Sequence, residues 1–185
     1  KSGEILGIYG LMGAGREEMA ETFFGLHHIT AGSLFMKGKK IKVDNPRGAI
    51  AHGIAYVPAE RKSDSLILIQ TVRENTTMAS LDKITRNGII SRSDEKRITL
   101  KWIEKFGIKT PTGETAVENL SGGNQQKVVM GRWMEMEPDL LILNDPTRGV
   151  DVGAKSEIYK IIDELCRAGT AIIMISSDMS ELLSM

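Results

Sequence analysis

Ser121-Gly122-Gly123-Asn124, followed by Gln125-Gln126-Lys127, places a hydroxyl and two glycines directly before a polar, helix-compatible run. Backbone N–H groups at such a helix start point outward, unpaired and weakly positive, and favour a bound anion. The glycines omit the Cβ atoms that would hold a phosphate at a distance, and Ser121 adds a hydroxyl donor. The same residues equally suit a plain N-cap, so alone they leave two readings open. A second glycine-rich turn, Gly10, Gly13, Ala14 and Gly15 leading into Arg16 and Glu17, follows an apolar run and opens a helix. Downstream, a third apolar run ends in Asn144-Asp145-Pro146-Thr147, which puts polar side chains where a strand gives way to a loop.

A phosphate-cradling turn of the form G-x-x-x-x-G-K-[ST] needs bare backbone, a Lys for the β/γ charge and a hydroxyl for Mg²⁺. Gly10 and Gly15 keep the spacing; the last two positions depart from it. Arg16 retains the charge as a rigid planar fork in place of a compact ammonium. Glu17 replaces the hydroxyl and Glu18 follows. Each acid favours the helix dipole by about 0.3–1 kcal/mol, yet one carboxylate about 4 Å from a phosphate costs about 4 kcal/mol at an effective dielectric near 20. Phosphate affinity is therefore expected to fall unless Glu17 turns away. Glu17 as a direct Mg²⁺ ligand, and a glycine-rich turn that holds no phosphate, are the other readings.

The elements that must position these groups are legible. Apolar runs at 4–9, 54–57, 140–143 and 170–175 read as strands, the first as a buried one, and 33–36 with 41–43 read as a hairpin about Gly38. Helices are expected at 16–24, after Asn45-Pro46, at 71–81, 94–106, in the run after Ser121, at 154–167 and at 178–185, with 85–88 as a loop. Strands alternating with helices call for an α/β fold with a mostly parallel sheet, a small antiparallel part and a helical subdomain over 71–138. Trp102 and Trp133 sit among apolar neighbours and read as core, whereas His27, His28 and His52 read as surface or packing residues.

The 185 residues suit one domain with a real core. Lys plus Arg and Asp plus Glu balance at 24 each, so no net field draws the chain to nucleic acid or anionic lipid. Lys37, Lys39, Lys40 and Lys42 read as a solvated hairpin turn. The single cysteine, Cys166, cannot form an internal disulfide, which fits a reducing compartment. No apolar run approaches the roughly 18–20 residues that span a bilayer, and no N-K-x-D pattern for reading guanine is present.

The three motifs in this order resemble the ATP-binding cassette (ABC) ATPases, with the P-loop NTPase type of core, over nearly the whole chain. The 10–17 turn matches Walker A, Leu120 to Lys127 the family signature, and the strand ending at Asp145 Walker B. L-S-G-G-N-Q-Q-K-V and P-T-R-G-V-D-V-G-A-K are similar to the second, C-terminal cassette of ribose-, galactose- and xylose-type sugar importers. The resemblance implies ATP and Mg²⁺ as cofactors. It implies as partners a first cassette in the same polypeptide, transmembrane permease subunits and, indirectly, an external sugar-binding protein, and it places the domain at the cytoplasmic face of the membrane. Family cassettes extend beyond both ends, so the chain is expected to be a fragment lacking terminal strands.

Matched residue by residue, Pro146-Thr147 sets Asn144 at the Mg²⁺-binding Asp and Asp145 at the catalytic Glu. Asn keeps an oxygen without the charge, and Asp is a methylene short where water positioning is sensitive to about 1 Å. The alternative register, Asp145 as metal ligand, leaves Pro146 where the base belongs. Ala59 stands at the Q-loop Gln with Glu60 beside it, and Ser177 at the switch His. Cassettes of this family pair head to tail, so the resemblance implies a division of labour. Ser121, Gly122, Gly123 and Asn124 would complete the neighbour's ATP site, while the domain's own site would be weak or silent. Asp151 would lie in the family's D-loop or simply cap a helix. A regulatory cassette that binds nucleotide without turnover, and an ABC ATPase outside transport, are the competing functions.

Overall fold

The computed structural model describes residues 1–11 and 13–185; Met12, within the first glycine-rich turn, lies outside the described residues. In chain order the elements are β1 (Ile5–Tyr9), α1 (Arg16–Phe23), β2 (Leu34–Met36), β3 (Lys39–Ile41), α2 (Pro46–Ala51), β4 (Ile54–Val57), α3 (Arg61–Asp64), α4 (Val72–Thr77), α5 (Leu81–Ile84), β5 (Thr85–Arg86), β6 (Ile89–Ile90), α6 (Arg92–Phe106), α7 (Gly122–Met134), β7 (Leu140–Asn144), α8 (Val152–Arg167), β8 (Ala171–Ser176) and α9 (Met179–Leu183). Short 3-10 turns occupy Met78–Ser80 and Val117–Asn119. The chain divides into two compact units, one of 1–57, 138–146 and 163–185, the other of 58–137 and 147–162.

The first unit is built on a parallel sheet of order β1-β8-β7-β4, the arrangement expected when apolar strands alternate with helices. Leu141, Ile142 and Leu143 are fully buried at its centre, with Val57, Ile172, Met174 and Ile175 beside them. β1 departs from the expected buried strand. It is the sheet's edge, paired with β8 alone, and Leu6 and Tyr9 are about half exposed. β2 and β3 form the expected hairpin, and Asn45 caps α2 by accepting the Gly48 N–H at 2.9 Å.

The second unit is mostly helical, with Val72, Ile98, Trp102, Val128, Val129 and Met130 in its core. The single helix expected at 71–81 is instead α4, a 3-10 turn and α5. The hydroxyls of Thr76 and Thr77 donate back to the Val72 and Arg73 carbonyls at 2.7 and 2.9 Å, a competition with the helical ladder that bends a helix. The loop expected at 85–88 is a hairpin: β5 pairs antiparallel with β6 across Asn87 and Gly88, both with positive φ, the preferred two-residue turn chemistry.

Candidate functional site

In the first unit, α1 starts at Gly15, held at φ 80° with no side chain capping the helix. That backbone conformation suits glycine. A Cβ at Gly13 or Gly15 would meet nothing within 4 Å, so both positions face open space. Gly10 is closer-packed, a Cβ there meeting Arg16 Cδ at 3.3 Å, and Ala14 is exposed. Glu17 and Glu18 are exposed. Arg16 turns inward and is only 9% exposed, its Nη2 donating to Asp145 Oδ2 at 2.6 Å.

Asp145 follows β7 directly and sits at φ 42°, in the left-handed region that residues with a side chain seldom adopt. Its N–H donates to the Ile175 carbonyl at 2.8 Å. Its second carboxylate oxygen accepts from the Ser177 N–H at 2.8 Å and the Ser177 hydroxyl at 3.2 Å. Burial pushes the Asp145 carboxyl up, but the Arg16 hydrogen bond, the Ser177 N–H and the Arg16 charge together hold it below the ordinary value of 3.8. Three sequence candidates, Arg16, Asp145 and Ser177, thus form one hydrogen-bonded cluster, with Asp145 at its hub.

This cluster suits a phosphate better than a metal. Arg16 Nη1 is buried and unpartnered, beside an uncapped helix start. Asn144 is 1% exposed and neither its Oδ1 nor its Nδ2 has a partner. That leaves one spare neutral oxygen for a cation, while the Asp145 carboxylate is committed and Glu17 faces solvent. Among the described residues no three His, Cys, Asp or Glu gather as a metal set. The residues present do not fit a protein-held Mg²⁺.

In the second unit, Ser121 stands at the N-cap of α7 with extended backbone, yet its side chain makes no cap bond. Its hydroxyl accepts instead from Asn124 Nδ2 at 2.9 Å, and Asn124 Oδ1 accepts the Lys109 N–H at 2.8 Å. Ser121 is exposed, whereas Gln125, Gln126 and Lys127 are nearly fully buried. Lys127 Nζ donates to Glu157 Oε2 at 2.6 Å and to the Gly107 carbonyl at 3.1 Å, anchoring the helix body.

Both glycines are dictated by close approach. A Cβ on Gly122 would lie 2.5 Å from Arg61 Nη2 and 2.9 Å from the Gly149 carbonyl oxygen, and one on Gly123 would lie 2.5 Å from Ala154 Cβ. Neither Cβ at the second contact can swing away, so Gly123→Ala must push α7 off α8. Overpacking of this kind costs about 1–3 kcal/mol, and a thermal midpoint lower by roughly 2–12 °C is expected by calorimetry.

Sequence reasoning missed Arg61. Its Nη1 donates to the Arg148 carbonyl at 2.6 Å, its Nη2 to the Gly149 carbonyl at 3.1 Å and its Nε to Gln125 Oε1 at 3.4 Å. It therefore fastens the 148–149 turn beneath the signature helix, and burial lowers its pKa. Beside it, Glu60 pairs with Arg148 at 2.8 Å, both about half exposed, and Ala59 is buried. Asp151 accepts the Ala154 N–H at 2.9 Å and so caps α8. His27 meets Glu21 at 2.8 Å on the surface.

Comparison with known proteins points one way. The ABC transporter family model matches residues 1–148. Ribose import ATP-binding protein RbsA of Geobacillus kaustophilus is 46% identical over all of this chain, which covers 37% of that protein. A putative ribose/galactose/methyl galactoside import ATP-binding protein of Rhizobium etli is 47% identical over all of this chain and 35% of its own length. The chain thus spans little more than a third of the curated relatives it matches. Among solved structures, a dimeric ATP-binding cassette in a post-hydrolysis state bound to ADP and Pi aligns with TM-score 0.78 at 20% identity, covering 98% of this chain and 78% of that one. A nucleotide-free cassette of an ABC transporter aligns with TM-score 0.82 at 19% identity, covering 100% and 74%. The sheet of the first unit and the helices of the second are therefore those of the P-loop NTPase fold of ABC ATPase domains, and the chain belongs to the ABC transporter family.

Proposed function

We propose that this chain is a nucleotide-binding cassette of a bacterial sugar importer that couples ATP to carbohydrate uptake. It acts chiefly by lending Ser121, Gly122, Gly123 and Asn124 to ATP held on a neighbouring cassette. The observation that carries this reading is the contrast between the two anion-binding turns. The signature turn carries an exposed serine whose hydroxyl accepts from Asn124 but caps no backbone N–H of α7, so its hydrogen is uncommitted. The Walker A turn has its arginine tied to a carboxylate of the same chain. Bound ATP supplies the phosphoanhydride whose hydrolysis drives the cycle. The chain's part is to present the Ser121 hydroxyl and the first N–H groups of α7, while Gly122 and Gly123 let α7 seat closely against Arg61, the Gly149 carbonyl and Ala154, which fixes where those groups stand.

The relatives are named for ribose and galactose import and are long enough to hold a second cassette, which supports a first cassette in the same polypeptide as the partner. No helix among the described residues is long and apolar enough to cross a membrane. On this reading permease subunits carry the substrate path, a sugar-binding protein delivers the substrate, and the cassette works at the cytoplasmic face. Uptake of labelled ribose and galactose by cells lacking the gene tests the assignment. Restoring the gene should restore uptake of one of these sugars or a close aldose; restored uptake of none rejects the importer.

The Arg16–Asp145 pair favours a second reading for the chain's own turn, a regulatory site that binds nucleotide without turnover. Asp145→Asn frees the arginine and removes a negative charge beside the phosphate position. It is expected to tighten ATP binding by this chain about tenfold in a fluorescence titration, ~1.4 kcal/mol. Unchanged or weaker binding would mean that the pair does not compete with phosphate.

A further inference from the structure

We propose that Asn124 is a positioning residue: it fixes the Ser121 hydroxyl as an acceptor on its inner side, so that the hydroxyl hydrogen is left to donate outward to a nucleotide phosphate. The inference rests on the reading that this signature turn serves a neighbour's ATP, and it moves Asn124 from the groups that touch the nucleotide to one that acts through Ser121.

A backbone N–H can only donate, so the Asn124 atom 2.8 Å from the Lys109 N–H is Oδ1. The amide orientation is thereby settled, and the atom 2.9 Å from Ser121 Oγ is Nδ2, which can only donate. Ser121 Oγ must then accept. A hydroxyl carries one hydrogen and two lone pairs, so accepting from Asn124 leaves the hydrogen uncommitted. The second lone pair is not drawn into a helix cap either, since Ser121 accepts no backbone N–H of α7. Asn124 is only 9% exposed, whereas Ser121 is exposed, so the amide works from beneath the serine.

Lys109 is itself held in place. The neighbouring Ile108 N–H donates to the Ile103 carbonyl at 2.9 Å, and Gly107 ends α6 in the left-handed conformation. The orientation of the serine hydroxyl is therefore set by the C-terminal end of α6, through one amide. A serine whose hydrogen is already directed costs no reorganisation when charge develops on the phosphate, and such preset donors matter most in a transition state.

Asn124→Asp tests this with almost no change of shape. One carboxylate oxygen still accepts the Lys109 N–H, but the other has no hydrogen to give, so Ser121 must donate inward. In the complete two-cassette ATPase, Asn124→Asp is expected to lower kcat at least tenfold, with KM for ATP within about threefold. In a Ser121→Ala background the same change should cost less than about threefold, because no hydroxyl remains to be misdirected. Asn124→Ala, which leaves the hydroxyl free to rotate, should cost about threefold and show the same dependence on Ser121; it serves if Asn124→Asp does not fold. Equal losses with and without the serine hydroxyl overturn the proposal, since Asn124 would then act by charge or by packing. A large effect of Ser121→Ala with none from either Asn124 variant also overturns it, while leaving the signature reading intact. If Ser121→Ala alone leaves kcat unchanged, the signature reading fails and the proposal falls with it.

Discussion

Ser121→Arg is expected to lower ATP turnover of the proposed two-cassette protein at least a hundredfold, while leaving its affinity for ATP within about threefold. Loss of one preorganised donor to a developing charge costs about 10²–10³ in kcat. The long arginine side chain adds to this by filling the space in which the two cassettes would close on a phosphate. On the proposed reading affinity is spared, because a neighbour's phosphate loop would hold the nucleotide in the ground state and the loss would belong to the closed, reacting state. Ser121 is exposed and makes no cap bond, so the variant should keep the wild-type thermal midpoint. Steady-state ATPase kinetics with calorimetry on the same preparation check all three expectations. Unchanged turnover would separate the signature turn from catalysis.

Arg73→Met is expected to destabilise the chain by about 3–5 kcal/mol, the cost of leaving a buried charge without its partner. Arg73 and Glu95 are both about 95% buried and lie 2.7 Å apart. Glu95 Oε1 takes a 3.3 Å share of the Thr77 hydroxyl hydrogen that also serves the Arg73 carbonyl, and Arg92 is 3.7 Å from its other oxygen, so some support survives the substitution. Adding Glu95→Gln removes the orphaned charge and should recover about half of the loss. Urea titrations of the single and double variants decide the matter, and a single-variant loss under about 1 kcal/mol would contradict it. On its other side the Arg73 fork donates to Glu114 at 2.8 and 3.1 Å. That hydrogen bond holds the half-exposed Glu114 carboxyl below its ordinary 4.5. A lowered carboxyl contributes stability that is present above its unfolded value and lost as pH falls through the lower folded value. The same sign applies to Asp145, so acid should weaken both pairs below about pH 4.

The fold was largely legible because its signals are local. Apolar runs at 54–57, 140–143 and 170–175 are sheet strands, and Asn45-Pro46 opens a helix as its caps dictate. What escaped was short or non-local. β5 and β6 hold two residues each, too few for an alternating pattern, although Asn87-Gly88 between them is a strong turn pair. The residues of the first turn were all named from the sequence, but their association was not. Arg16 and Asp145 stand 129 positions apart, and opposite charges at that separation carry no mark of pairing. The reading that set Asp145 at a catalytic position gave no reason to expect its carboxylate to be engaged by Arg16 and Ser177. Arg61 was invisible because two of its partners are backbone carbonyls, which every residue possesses. Asn124 was visible as part of the signature, yet its hold on Ser121 depends on the Lys109 N–H, again a backbone group. The change at the Walker A turn from Lys-Ser to Arg-Glu was plain in the sequence; that Glu17 faces solvent while Arg16 turns inward required the structure.

The central claim is that the serine–diglycine turn meets the terminal phosphate of a nucleotide bound elsewhere. Orthovanadate trapped with ADP takes the place of that phosphate, and ultraviolet light then cuts the backbone at serines and glycines touching it. In the two-cassette protein the account predicts cleavage of this chain at Ser121, lost in Ser121→Ala, with little or none between Gly10 and Arg16. Cleavage confined to the 10–16 turn, with Ser121 untouched, would contradict it.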